Sequence, residues 1–302
     1  MKSKLKTILT ILSVLLVSVM ACLMTIVLVN RNKEKPVIHI IALGGQSNCE
    51  GVSLSSALAT KVTKSKYALY SEGFNNVDIV SVSNGLSVDP IQDCKLGFGT
   101  TANHFGIEIG IADYLLEHYP DQQFCLVKKA VGGTELGKHW SPSDENSNYG
   151  IYLRTLITGV NNTIKQYEDM GYIVKVDAYC FMQGEEESAS GQISGYYNDI
   201  DKMVTTFRNA FEKYNDTTIR YIDGGVYNQE RFQYADQLNA IKKSYADTSE
   251  YNYFIDTVGM ELTRKNTEIE GGYDIFHYDS LSMLRLGLAF GERVLGNVDN
   301  YN

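Results

Sequence analysis

The sequence predicts an α/β protein of three layers, with helices packed on both faces of a parallel five-stranded sheet. Three observations carry that expectation. From residue 37 onward, apolar runs of strand length alternate with helix-length amphipathic stretches, the pattern of parallel βαβ units. With 302 residues, 44% of them hydrophobic, the chain can bury a large core without staples. The segments that follow the strands hold its unusual residues, and in an open α/β sheet ligands bind beyond the carboxyl ends of the strands.

The N-terminus differs in kind. Residues 8–29 carry no charge over 22 positions, with Lys2, Lys4 and Lys6 before them and Arg31, Lys33 and Lys35 after. A secretory apolar region runs about 7–15 residues, whereas a bilayer span needs about 20. Residues 1–35 are therefore read as an uncleaved signal anchor and linker, a transmembrane helix holding an extracellular domain at the cell membrane. Secretion after cleavage is the alternative. The folded domain is expected over 36–302. Six basic residues and one acid in 1–35 give a local +5 against −9 for the chain, leaving −14 for the domain. So acidic a domain argues against nucleic acid as a partner, because phosphate recognition needs a basic surface.

The expected strands are 37–43, 124–130, 174–182, 219–226 and 251–256, with a weaker candidate at 77–83 inside an irregular segment, 52–103. Helices are expected within 105–119, 152–171, 194–214, 231–246 and 281–296. In the first of these, Ile107, Ile111 and Leu115 share a face, and the second ends at Gly171, a residue suited to a helix stop.

Four segments then carry the chemistry: "GGQSN" after the first strand, "VGGTELGKHW" after the second, "QGEEES" after the third and "GGYDIFHYD" before the last helix. Ser47 is the candidate nucleophile, and a serine hydroxyl needs a base that is itself oriented by a third group. His277 is that base and Asp274 its partner, because Asp-x-x-His in one loop lets the carboxylate reach one ring nitrogen and leaves the other for the serine. His39, within a strand, and His118, at a helix end, have ordinary structural readings. The backbone amides of Ser47 and Gly133 and the side chain of Gln183 are expected to stabilise an oxyanion. Gln46 and Asn48 are expected to hold the turn, and Trp140 either to stack on a sugar ring or simply to pack. Consecutive carboxylates in "QGEEES" do not face one point, and there is no CxxC or zinc spacing, so no metal or cofactor is expected. Disulfide pairing among Cys49, Cys94, Cys125 and Cys180 is left open. The glutamine-serine-asparagine turn also differs from the G-x-S-x-G elbow, since Cys49 stands in the fifth position.

Together, "GGQSNCEG", "KKAVGGTELGKHW", "MQGEEES" and "DIFHYDSLSMLRLG" resemble the sialate O-acetylesterase-like carbohydrate esterases of the SGNH hydrolase superfamily, from about residue 37 to 296. The resemblance implies a flavodoxin-like three-layer domain and a metal-free serine esterase that removes acetyl groups from carbohydrate. It places Ser47, His277 and Asp274 in the catalytic roles and the amides of Ser47 and Gly133, with Gln183, in the oxyanion hole. Glu185 matches an acid that organises the loop. Two departures are Cys49, where a methionine is usual, and a glutamate in place of the aspartate often found after "QGE". The alternatives are an esterase acting on peptidoglycan or other small acyl esters, and a catalytically silent carbohydrate-binding protein on the same fold.

Overall fold

The computed structural model describes residues 15–20, 35–83, 89–143, 149–227, 231–263, 266–268 and 273–295. The chain divides into two units, Met1–Pro36 and Val37–Asn302. In the first, residues 15–20 are helical. The rest of the expected span, 8–14 and 21–29, lies outside the described residues, and among the described residues no helix is long and apolar enough to cross a membrane.

In the second unit the strands are β1 (Val37–Gly45), β2 (Ser53–Leu54), β3 (Val77–Ser81), β4 (Gln92–Asp93), β5 (His104–Phe105), β6 (Gln123–Ala130), β7 (Ile173–Met182), β8 (Arg220–Gly224) and β9 (Asn252–Ile255). β2 and β5 form a small antiparallel pair. The other seven make one sheet in the order β4-β3-β6-β1-β7-β8-β9. Every neighbouring pair is parallel except β3 with β4. The five expected strands are all present, but the sheet is wider than expected. The weak candidate becomes β3, with Val77, Ile79 and Val80 buried, and an antiparallel edge of two exposed residues lies beyond it. Such an edge leaves no apolar pattern to read.

The alternation of side chains along the strands makes the three layers. On β1, Ile41 and Leu43 join a core with Phe124 and Leu126 of β6 and with the helices Glu108–His118 and Ser280–Gly291. Ile38, Ile40 and Ala42 point the other way, into a core with Val127, Tyr179 and Phe181 and the helices Ile151–Asp169, Tyr196–Phe211 and Ala235–Ala246. Burial on both faces explains why these strands are apolar throughout.

Register fixes where function can sit. Gly45, the last residue of β1, pairs with Ala130, the last of β6, and with Met182, the last of β7. Three strands thus end level, and three of the four marked segments begin along one edge.

Candidate active site

Gly45 closes β1 at φ +142, and a Cβ there would lie 2.0 Å from the Met182 carbonyl oxygen. Only glycine fits. The chain then turns, with the Gln46 amide donating to that same carbonyl at 2.9 Å, into a single helical turn, Ser47–Glu50. Ser47 opens the turn half-buried. Its neighbours face inward. Gln46 accepts through Oε1 from the Gln183 side chain at 3.3 Å and the Gly184 amide at 3.4 Å. Asn48 donates through Nδ2 to Glu185 Oε1 at 2.9 Å and to the Phe276 carbonyl at 3.2 Å, and accepts from the Tyr278 amide at 3.4 Å. The serine turn is therefore tied directly to the residues on either side of His277.

His277 donates from Nδ1 to Asp274 Oδ2 at 2.6 Å. The other carboxylate oxygen of Asp274 accepts from the amides of Phe276 at 2.7 Å and His277 at 3.2 Å. Burial alone would raise the Asp274 carboxyl, but the bonds from the His277 ring and the Phe276 amide outweigh it and hold the group below its ordinary value. Asp274 is thus anionic at neutral pH, and with Nδ1 as the donor the neutral ring keeps its lone pair on Nε2. The loop is braced by reciprocal backbone bonds between Asn266 and Asp274, at 2.9 and 2.7 Å.

Ser47, Gly133, Glu185 and His277 line one cleft of about 190 Å³, along with Arg231 and Phe276. Gly133 has φ +67, and neither its amide nor that of Ser47 has an acceptor among the described residues. Two free amides in one cleft are what a developing oxyanion needs.

Two of the expected residues are not brought there. Gln183 is fully buried, with Nε2 donating to the Thr134 carbonyl at 2.7 Å and to Glu187 Oε2 at 2.6 Å, besides Gln46, and Oε1 accepting from Tyr196 at 2.9 Å. Both of its amide hydrogens are committed inside the protein, so it supports the loops behind the oxyanion position and supplies no donor to it. Trp140 is also fully buried, donating to Thr134 Oγ1 at 3.1 Å and set edge-on against Phe181. It packs, and cannot stack on a sugar.

The three glutamates of "EEES" diverge. Glu185 turns to Asn48, Glu187 accepts from the Leu136 amide at 2.6 Å and from Gln183, and Glu186 borders the cleft. Among the described residues no three His, Cys, Asp or Glu side chains gather to hold a metal ion. Cys49, Cys94, Cys125 and Cys180 are all buried and free. Burial pushes the Cys49 thiol up to about 12, so the cysteine two residues from Ser47 stays protonated and is no rival nucleophile.

Several supporting residues escaped the sequence reading. Glu50 accepts from the Gly132 amide at 2.8 Å and so fixes the residue before Gly133. It stands in the first quoted motif, where a carboxylate three residues after the serine was the available signal. Lys242, fully buried, bonds to Asp223 and the Gly224 carbonyl at 2.8 Å each and to the Gln183 carbonyl, clamping the ends of β7 and β8 beneath the "QGEEES" loop. Nothing in its helix, Ala235–Ala246, marks it apart from other lysines.

Solved structures share this fold. NanS aligns at 13% identity with a TM-score of 0.61, covering 87% of this chain and 98% of its own. A protein from Arabidopsis thaliana aligns at 16% identity and 0.59, covering 84% and 96%. A carbohydrate acetylesterase from Xanthomonas citri aligns at 12% identity and 0.56, covering 84% of this chain and 55% of its own. No curated protein sequence matches. A family model described as carbohydrate esterase, sialic acid-specific acetylesterase, spans residues 37–296, and the chain belongs to that family of enzymes acting on ester bonds.

Proposed function

We propose that the protein removes O-acetyl groups from carbohydrate by a serine mechanism with an acetyl-enzyme intermediate. One observation carries the reading: Ser47, His277 and the free Gly133 amide line a single cleft, and Asp274 holds the far nitrogen of His277. Membership of the family, and the likeness to an acetylesterase acting on carbohydrate, support the substrate class.

In this reading Ser47 Oγ attacks the acetyl carbonyl carbon while His277 Nε2 takes its proton. The carbonyl oxygen, now negative, accepts from the amides of Ser47 and Gly133. His277 then gives the proton to the sugar oxygen as the C–O bond breaks. Water repeats the cycle: His277 takes its proton, the hydroxide attacks the acetyl-serine, and the proton returns to Ser47 as acetate leaves. Asp274 stays ionised and stabilises the imidazolium.

Full-length protein and its Ser47→Ala variant, compared for acetate release from 4-nitrophenyl acetate and from acetylated xylan, test this. The variant is expected to lose at least about 10⁴-fold in kcat. Equal release from the two proteins overturns the serine mechanism. Residues 8–29, uncharged over 22 positions, support an anchored enzyme, and a domain facing outward is part of the proposal. Protease treatment of intact cells is expected to remove the domain and leave a membrane-bound stub, and a protected domain overturns that orientation.

A further inference from the structure

The cleft at Ser47 is small, and it opens sideways. Its volume of about 190 Å³ falls below the ~300–1,000 Å³ usual for a ligand site. A second cleft of about 540 Å³ adjoins it, and Glu186 lines both. It is lined by the segment that carries Gly133, through Glu135 and Lys138, and by the short helix Glu185–Ser190 and the turn after it, through Glu186 and Ser194. The floor includes Asp199, from the helix Tyr196–Phe211. The two segments that flank the cleft at Ser47 therefore also border a trench beside it.

The lining is chemically mixed. Carboxylates of Glu135, Glu186, Glu187 and Asp199 share the lining with the ammonium groups of Lys138 and Lys202, with serine hydroxyls and with an exposed ring at Tyr149. A polyanion would meet like charge along such a wall, and a lipid chain would find too little apolar surface. A neutral polyhydroxylated chain meets donors and acceptors of both kinds, together with an aromatic face for a pyranose ring. A neighbouring shelf lined by Arg231, Gln233 and Ile275, which shares Glu186 and Ser190 with the trench, lacks that density of hydroxyls and carries no aromatic ring.

From this the geometry points to an oligosaccharide subsite between the Gly133 and Glu185 loops, bounded by Tyr149, Lys138, Ser194 and Asp199. It takes the unacetylated sugar units next to the one being deacetylated. The inference rests on the esterase reading for its direction. It makes the substrate a chain, not a free monosaccharide.

Binding tests it apart from catalysis. Full-length Ser47→Ala protein is titrated calorimetrically with xylose, mannose and N-acetylglucosamine and with the corresponding tetrasaccharides. At least one tetrasaccharide is expected to bind about tenfold tighter than its monosaccharide, and Ser194→Trp, which fills the trench from an exposed position, is expected to abolish that gain. Gln233→Trp, on the shelf and outside the trench lining, is expected to leave it intact. In the active enzyme Ser194→Trp is expected to leave 4-nitrophenyl acetate turnover within about twofold of the parent, which also shows that the variant folds. The subsite is overturned if no tetrasaccharide outbinds its monosaccharide, or if Gln233→Trp and not Ser194→Trp removes the gain. Loss of turnover in every protein with tetrasaccharide binding retained would sink the esterase reading and leave the subsite standing.

Discussion

Among the described residues stand two histidine–aspartate pairs of nearly the same geometry. His277 lies 2.6 Å from Asp274, and His39 lies 2.7 Å from Asp177, each through Nδ1. They sit at opposite ends of the sheet. His39 is the third residue of β1 and rests against the Phe124 ring at 5.5 Å. Asp177 reaches it because the β1–β7 register slips between Ile40 and Ile41, leaving Asp177 as the extra residue of β7. That is a bulge re-aiming a side chain. The second pair stands beyond the other end of the strands, in a loop, with Ser47 in its cleft. A histidine–carboxylate bond is therefore not a signature of catalysis. What separates the two is that His277 lines a cleft together with Ser47 and Gly133, whereas His39 sits within a strand.

Substitutions at the two pairs should diverge most at the histidines. His277→Ala is expected to lower kcat/KM by about 10³-fold or more, and His39→Ala to leave it within about twofold, both measured on 4-nitrophenyl acetate. A comparable loss from His39→Ala would break the distinction. The aspartates give a smaller contrast. Asp274→Asn is expected to cut kcat by about 10²-fold with little change in KM, whereas Asp177→Asn costs about 1 kcal/mol of stability and no activity.

Smaller still is the effect of Asn48→Ala, which unties the serine turn from the His277 loop. About a tenfold loss in kcat is expected, with the urea midpoint almost unmoved, since misplacement and not unfolding is the cause. The least effect is on acid stability. Because the Asp274 carboxyl is held below its ordinary value, it stabilises the fold above the unfolded-state value of about 3.9, and that contribution is lost as pH falls through the lower folded value. Thermal melts should therefore place Asp274→Asn a few degrees below the parent at neutral pH, and the gap should narrow as the pH is lowered past about 3.9. A gap that widens in acid would reverse the sign assigned here.

The same pairs show what could be read in advance. Asp274 and His277 were legible because they are three residues apart in one loop, so a local spacing already brings them together. Ser47 and Gly133 were legible because a strand running into paired glycines forces a turn at the sheet edge. His39 and Asp177 are separated by 138 positions and meet only through a slipped register, which no spacing encodes. Gln183 stands in the expected loop but points the other way, and of the two readings of Trp140 the structure takes packing. A side chain's direction depends on its competing partners, and Thr134 draws both of them inward, by its carbonyl oxygen and its hydroxyl. The apolar runs revealed five strands because those strands are covered on both faces, while β3 and β4, at the sheet's margin, carry weaker patterns.

Asn48 reaches a partner 230 residues further along the chain. In the proposed mechanism a ribosome thus releases the nucleophile, its turn and most of the sheet well before the base. Throughout that interval the growing polypeptide holds a serine without the histidine that would activate it. The helix Ser280–Gly291 follows that histidine almost at once. Long separation along the chain therefore makes the proposed chemistry depend on the completed fold and not on any one stretch of it.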